Sequence, residues 1–205
     1  MAKAIKDDIS TEQKILDAAK QVFMENGLEG GRMQDIADKA GINKALLHYY
    51  FRSKDKLFER IFMEEAQKFM PKVATIMLSD LSLFEKIEKF VGEYMDTLSQ
   101  NPLLPIFILN EINRNPKDMV KKIWGNQRPP IDKVEEHVAK LIKKGEIKPI
   151  KGYELMINMV SLCIFPFIAR PMVQWITKTN DEEFLKMMEQ RKKHVVKFVI
   201  DSIKK

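Results

Sequence analysis

Met33 to Phe58 reads MQDIADKAGINKALLHYYFRSKDKLF, and its spacing decides the fold. Ala37, Gly41 and Leu47 stand at intervals of four and six residues. Each position carries the residue type that two short helices joined by a tight turn require. Helices crossing at close range need a small side chain at the contact, which Ala37 supplies. The turn needs a residue at ease with positive φ, which Gly41 supplies. The second helix needs an apolar anchor turned toward the first, which Leu47 supplies, with Ile36 and Ile42 completing a small core. Asn43 suits the N-cap, since its side-chain oxygen can accept from an amide of the first turn. The pattern predicts one short helix from Met33 to Ala40 and a second from about Lys44 to Tyr50, a helix-turn-helix.

With Ile42 and Leu47 turned inward, the second helix offers Lys44, Ala45, His48 and Tyr49 outward. A lysine at the start of such a helix suits a phosphate or a guanine edge. A small residue admits a base or a thymine methyl, and a phenol can donate to a phosphate oxygen. Arg52, Lys54 and the first amides of the following helix are further candidate phosphate contacts, because a helix N-terminus attracts anions. Phe51 reads as a core aromatic, and Tyr50 fits core and contact equally well.

Upstream, Ser10 and Gln13 have the spacing of a capping box. The helix they would open carries the apolar stripe Ile15, Leu16, Ala18, Ala19, Val22 and Phe23 and should stop at Asn26-Gly27. The glycines at 27, 30 and 31 are no phosphate cradle, since no Gly-Lys-Ser/Thr follows. Downstream, a long amphipathic helix should begin at Lys54, with Leu57, Phe58, Ile61, Phe62, Ala66 and Phe69 at helical spacing. Pro71 should kink or end it. Prolines then divide the chain into helices expected near residues 81–99, 103–114, 116–124 and 131–144. Two long ones follow, over 153–177 and 181–204. No run alternates apolar and polar residues as a strand would. The expected class is all-α, with about nine helices.

Composition bounds the function. The chain has 205 residues, 45% hydrophobic and 31% charged, an ordinary globular balance. Its net charge of +6 invites a nucleic-acid partner without establishing one. Most of the excess lies beyond Lys56, so a DNA-binding head would rely on a few well-placed cations. Cys163 stands alone in an apolar run, which excludes a disulfide within one chain and fits a reducing cytoplasm. The start, MAKAIKDDIS, lacks the apolar core of a signal peptide. Leu155 to Ala169 is the most apolar stretch, but it is shorter than the ~20 residues of a membrane span. It reads as a buried helix, and no membrane partner is expected. His137 and His194 lie far from any acidic or cysteine cluster with ligand spacing, so no metal is expected. His137 reads first as a helix-surface residue, with a pocket-facing position as the alternative. No nucleophile motif is present, so neither an enzyme nor a cofactor is expected.

Ile15 to Phe62, read as ILDAAKQVFMENGLEG and then MQDIADKAGINKALLHYYFRSKDKLFERIF, resembles the DNA-binding domain of the TetR family of bacterial repressors. The resemblance includes the first-helix pattern, the turn Gly41-Ile42-Asn43, the HYYF run and the Ser53-Lys54 helix start. It implies a three-helix helix-turn-helix head over residues 1–55. A helical ligand-binding and dimerisation domain would follow over 56–205, its last two long helices forming a four-helix interface with a partner. It places Lys44, Ala45, His48, Tyr49, Tyr50 and Lys54 where relatives contact operator DNA, and Asn43 and Arg32 join that set. Three positions depart from the family. Arg32 stands where a Ser or Thr commonly caps the second helix, and is a phosphate candidate instead. Leu46 replaces a frequent Thr or Ser, and His48 a common Tyr.

The second half of the chain offers weaker signals. Phe107, Met119, Trp124, Met156, Met159 and Phe165, with Glu111 as an orienting polar group, fit a cavity for a small, largely apolar effector, and fit ordinary core equally well. Phe184, Met188, Val195 and Phe198 form a C-terminal stripe suited to burial against a neighbouring or partner helix. The expected function is a cytoplasmic homodimeric repressor, released from a palindromic operator by a small molecule. An activator, a member without a ligand, and a helical interaction module with a vestigial head are the alternatives.

Overall fold

The computed structural model describes residues 2–114, 116, 121 and 130–205, and of residues 2–9 and 66–71 the backbone alone. Among the described residues there are ten helices, one more than about nine, and one isolated bridge between Ile147 and Lys204. The chain divides into two compact units, Met1–Gln67 with Phe107–Pro116, and Lys68–Ile106 with Lys117–Lys205.

In the first unit, helix α1 runs Ala2–Gly30 and is broken at Gly27, whose φ of 68° and ψ of −178° are not helical. The expected stop at Asn26-Gly27 is therefore a kink. The expected start at Ser10 is corrected to Ala2. No glycine or proline interrupts the chain before Ser10, and Gln13 donates forward to Asp17 at 3.0 Å. The stripe Ile15, Leu16, Ala18, Ala19, Val22 and Phe23 is buried as expected. Gly31 is needed for space, because a Cβ there would stand 2.7 Å from the Phe23 ring. Helices α2 (Met33–Ala40) and α3 (Lys44–Tyr50) follow, and then α4 (Lys54–Leu78), whose N-cap Ser53 accepts from the Lys56 amide at 3.2 Å. Pro71 does not end α4. Phe58 meets Phe23 edge-on at 5.2 Å and packs with Phe62 and Phe107. Glu65 is buried with Lys20 at 2.9 Å, a pair that ties α1 to α4.

In the second unit, α5 (Leu83–Gln100) starts from a full Ser82/Glu85 capping box. Helix α6 (Leu104–Arg114) follows, its residues from Phe107 on belonging to the first unit, and the helix expected over 116–124 falls mostly outside the described residues. Helix α7 (Ile131–Lys144) has its expected bounds. The single helix expected over 153–177 is corrected to two, α8 (Gly152–Ile168) and α9 (Arg170–Thr177), bent by 75°. Pro171, which lacks an amide hydrogen, occupies the first turn of α9, where none is needed. Pro166 inside α8 deprives the Leu162 carbonyl of its helical donor. Arg191 on α10 (Asp181–Ile203) replaces that donor, with Nε and Nη2 donating to Leu162 O at 3.3 and 3.1 Å. The core gathers Ile87, Val91, Met95, Met159, Cys163, Phe167, Phe184 and Val195 from α5, α8 and α10. No single helix among the described residues is long and apolar enough to cross a membrane.

Candidate nucleic-acid interface

The turn between α2 and α3 is built as the sequence requires. Gly41 takes φ 69° and ψ 31°, the left-handed conformation. Its amide donates to Asp38 O at 3.1 Å and the Ile42 amide to Ala37 O at 3.0 Å. These two bonds form a Schellman motif and answer the last carbonyls of α2. Asn43 accepts from the Leu46 amide at 2.8 Å, which fixes the start of α3. Ile36, Ala37 and Leu47 are buried, and Ile42 is half-buried at the edge of their core.

Leu47 is 0% exposed and Tyr49 77%. Anchoring Leu47 inward leaves Lys44, Ala45, His48 and Tyr49 exposed, with Ala45 and Tyr49 on the side of α3 opposite Leu47 and Lys44 and His48 beside them. Tyr50 is half-buried and holds Tyr49 edge-on at 5.5 Å between ring centres. Arg32 is exposed and makes no side-chain cap for α2. Leu46, the polar position of the family, is exposed as well. Lys54 stands half-buried at the start of α4, its Nζ donating to Glu29 O at 3.3 Å. Its ammonium thus caps the end of α1 while keeping other donors. The expected set is accordingly brought together on α3 and its flanking helix starts. Lys39 pairs with Glu25 at 3.7 Å, a link between α2 and α1 that the sequence reading missed.

Of the expected effector residues, Phe107 and Glu111 belong to the first unit and Met156, Met159 and Phe165 to the second. Phe107 sits in the aromatic cluster of the first unit, where Glu111 is also buried, 3.8 Å from Arg114. Met159 is in the core of the second unit, with Met156 packed against it. Phe165 is corrected from a cavity wall to an exposed residue, 55% accessible, because α8 turns it away from its core face. Met119 and Trp124 lie outside the described residues. One cavity, of about 620 Å3, is lined by other residues, among them Lys86 and His137. His137 is therefore not simply a helix-surface residue.

The C-terminal stripe also needs correction. Phe184, Met188 and Val195 are buried in the chain's own core and present nothing to a partner, whereas Phe198 is 64% exposed. On α10, Phe184, Met188, Val195, Val199 and Ile203 follow core spacing, and Phe198 falls at the flank of that buried face, where it is exposed. Burial pushes the Cys163 thiol up to about 12, which makes it a poor nucleophile.

Residues 15–61 match the family model of bacterial regulatory proteins, tetR family. The fatty acid metabolism regulator protein of Bacillus subtilis (strain 168) is 22% identical over 83% of this chain and 85% of its own length. The HTH-type transcriptional regulator RutR of Escherichia coli (strain K12) is 23% identical over 96% and 92%. The solved structure of the ketosteroid transcriptional regulator KstR2 of Mycobacterium tuberculosis superposes with a TM-score of 0.72, at 16% identity and 94% of each chain.

Proposed function

The chain belongs to the TetR family of bacterial regulatory proteins and is a transcriptional regulator, and from that premise we propose that it is a repressor released from its operator by a small molecule. Residues 1–55 carry the DNA contacts in this reading, and residues 56–205 dimerisation and sensing. Lys44, Ala45, His48 and Tyr49 read or touch the major groove. Arg32, Tyr50 and Lys54 hold phosphates, and Asn43 positions α3 through its cap. The observation that carries the reading is the division of α3 into a buried Leu47 face and an exposed one that bears Lys44, His48 and the 77% exposed Tyr49.

A homodimer follows from the task. Two copies of α3 separated by about one DNA turn read an inverted repeat, so operator symmetry mirrors protein symmetry. An effector that prefers one spacing of the two heads lowers operator affinity by its differential affinity for the two arrangements. A largely apolar effector is supported by the Bacillus relative, which is named a fatty acid metabolism regulator. The protein acts in the cytoplasm, where its operator is, and catalyses no reaction.

The test is selection of bound duplexes from a random library by the purified full chain at physiological salt. An enriched inverted repeat is expected. A pool without sequence preference, from folded dimeric protein, would remove the repressor reading.

A further inference from the structure

Helix α7 carries Lys133, His137, Lys140 and Lys144 at intervals of four, three and four residues, which aligns them on one stripe. Like charges at that spacing repel; Glu136 answers Lys133 at 3.1 Å and Glu146 answers Lys144 at 3.8 Å, so the repulsion is concentrated at His137 and Lys140 in the middle of the stripe. The described cavity of about 620 Å3 lies along it. Its wall combines Lys133, His137 and Lys140 with Lys86 of α5 and the turn from Ser79 to Ser82.

Lys86 is only 8% exposed. Its Nζ donates to Met77 O at 2.9 Å, one of the last carbonyls of α4, which explains how a lysine is held there. An ammonium has three donors, and among the described residues this partner is a neutral carbonyl rather than a carboxylate. A buried cation answered only by a dipole is unfavourable. Two acids share the wall, Asp80 and Glu136. Glu136 is paired with Lys133 at 3.1 Å, and Asp80 lines the same wall as Lys86 and Lys140. The Ser82 hydroxyl is engaged with Glu85. His137 reports the resulting field: burial lowers its pKa first, and Lys86, Lys140 and Lys144 lower it further.

We infer that this cavity binds a small polar anion, a metabolite bearing a phosphate or carboxylate group, held by Lys86, Lys140 and His137. The volume falls in the range of small-molecule sites. The cationic wall does not suit an apolar effector. The inference stands apart from the operator reading, since no DNA-contact residue is involved.

Isothermal titration of the full chain at fixed ionic strength tests it, with inorganic pyrophosphate and citrate as separate probes. Saturable binding of at least one probe is expected, one per chain, and the probe that binds tells phosphate from carboxylate recognition. Lys140→Ala and His137→Ala should each weaken it about tenfold or more, near 1.4 kcal/mol. Neither should lower the anion-free melting temperature, and Lys140→Ala should raise it slightly by relieving repulsion along α7. Lys86→Met is not the deciding variant, because it also uncaps α4. No saturable heat with either probe, or binding that both substitutions leave unchanged, overturns the site.

Discussion

Leu47 and Tyr49 lie two positions apart on a seven-residue helix and face opposite ways. Their substitutions should therefore separate folding from binding. Tyr49→Ala or Lys44→Ala removes an exposed side chain and leaves the melting temperature unchanged. Each should weaken operator binding by about 1–3 kcal/mol if it contacts a base, whereas a phosphate contact is lost equally on every sequence and flattens the salt dependence. Fluorescence anisotropy on the selected operator and on random duplex, over a salt series, reads both quantities; an unchanged affinity for both variants would refute the proposed contact face. A second residue-scale device is Glu135, whose carboxylate accepts from the Gly152 and Tyr153 amides at 2.8 and 3.1 Å and so caps α8. Those two bonds, the Gly152 amide first, hold its pKa below the ordinary glutamate range. A depressed folded-state pKa means stability that is present above the ordinary value and lost as pH falls through the lowered one. Melting temperature should thus drop with acid more steeply in the parent than in Glu135→Gln. Parallel curves for the two proteins would show that the cap has no linked proton. Asn43, Gly41 and Leu47 were legible because their roles are set by neighbours within a few residues. The Glu135 cap and the bond from Lys54 to Glu29 were not, because each joins residues 17 or more apart in sequence.

At the scale of elements, periodicity located the helices and local chemistry placed their ends. Helix α7 has its expected bounds, with Gly145 in the left-handed conformation at its C-terminus. The division of 153–177 was missed although Pro166 and Pro171 were visible. A proline inside a helix ends it only if the carbonyl it orphans finds no other donor, and that depends on tertiary neighbours. Here Arg191 rescues Leu162 O, so α8 passes Pro166 and breaks only after Ile168. This account makes a coupling prediction. Arg191→Ala should destabilise the chain by about 1 kcal/mol, the low end of the cost of an acceptor left without its donor, because Leu162 is only part-buried. In a Pro166→Ala background the backbone amide returns, and the same substitution should cost markedly less. Urea denaturation of the two single variants and the double variant closes the cycle. Additive losses would show that the guanidinium and the missing amide are unrelated.

At the scale of the whole molecule, the proposed repressor must be a dimer, and the buried stripe on α10 cannot make one. Helical spacing alone gave Phe184, Met188, Val195 and Phe198 as one surface, yet a helix of 23 residues packed within its own chain has two apolar faces with different tasks. The inner face is complete, since Phe184 meets Phe167 edge-on at 5.7 Å and Arg170 stacks over its ring at 5.1 Å. The outer face carries Phe198, beside a recess of about 280 Å3 lined by Leu162, Arg191 and His194. Burying one phenylalanine contributes about 1.5–3 kcal/mol, and a two-fold interface uses each residue twice. Phe198→Glu should therefore raise the dimer dissociation constant by at least about a hundredfold, roughly 3 kcal/mol, before the added charge is counted. Phe184→Ala should act on folding instead, at about 3–5 kcal/mol, from the cavity it opens in the core. Sedimentation equilibrium distinguishes them: Phe198→Glu should yield a folded monomer with weakened operator binding, because each head then binds its half-site alone. A Phe198→Glu protein that remains fully dimeric at low micromolar concentration would move the interface away from this face of α10.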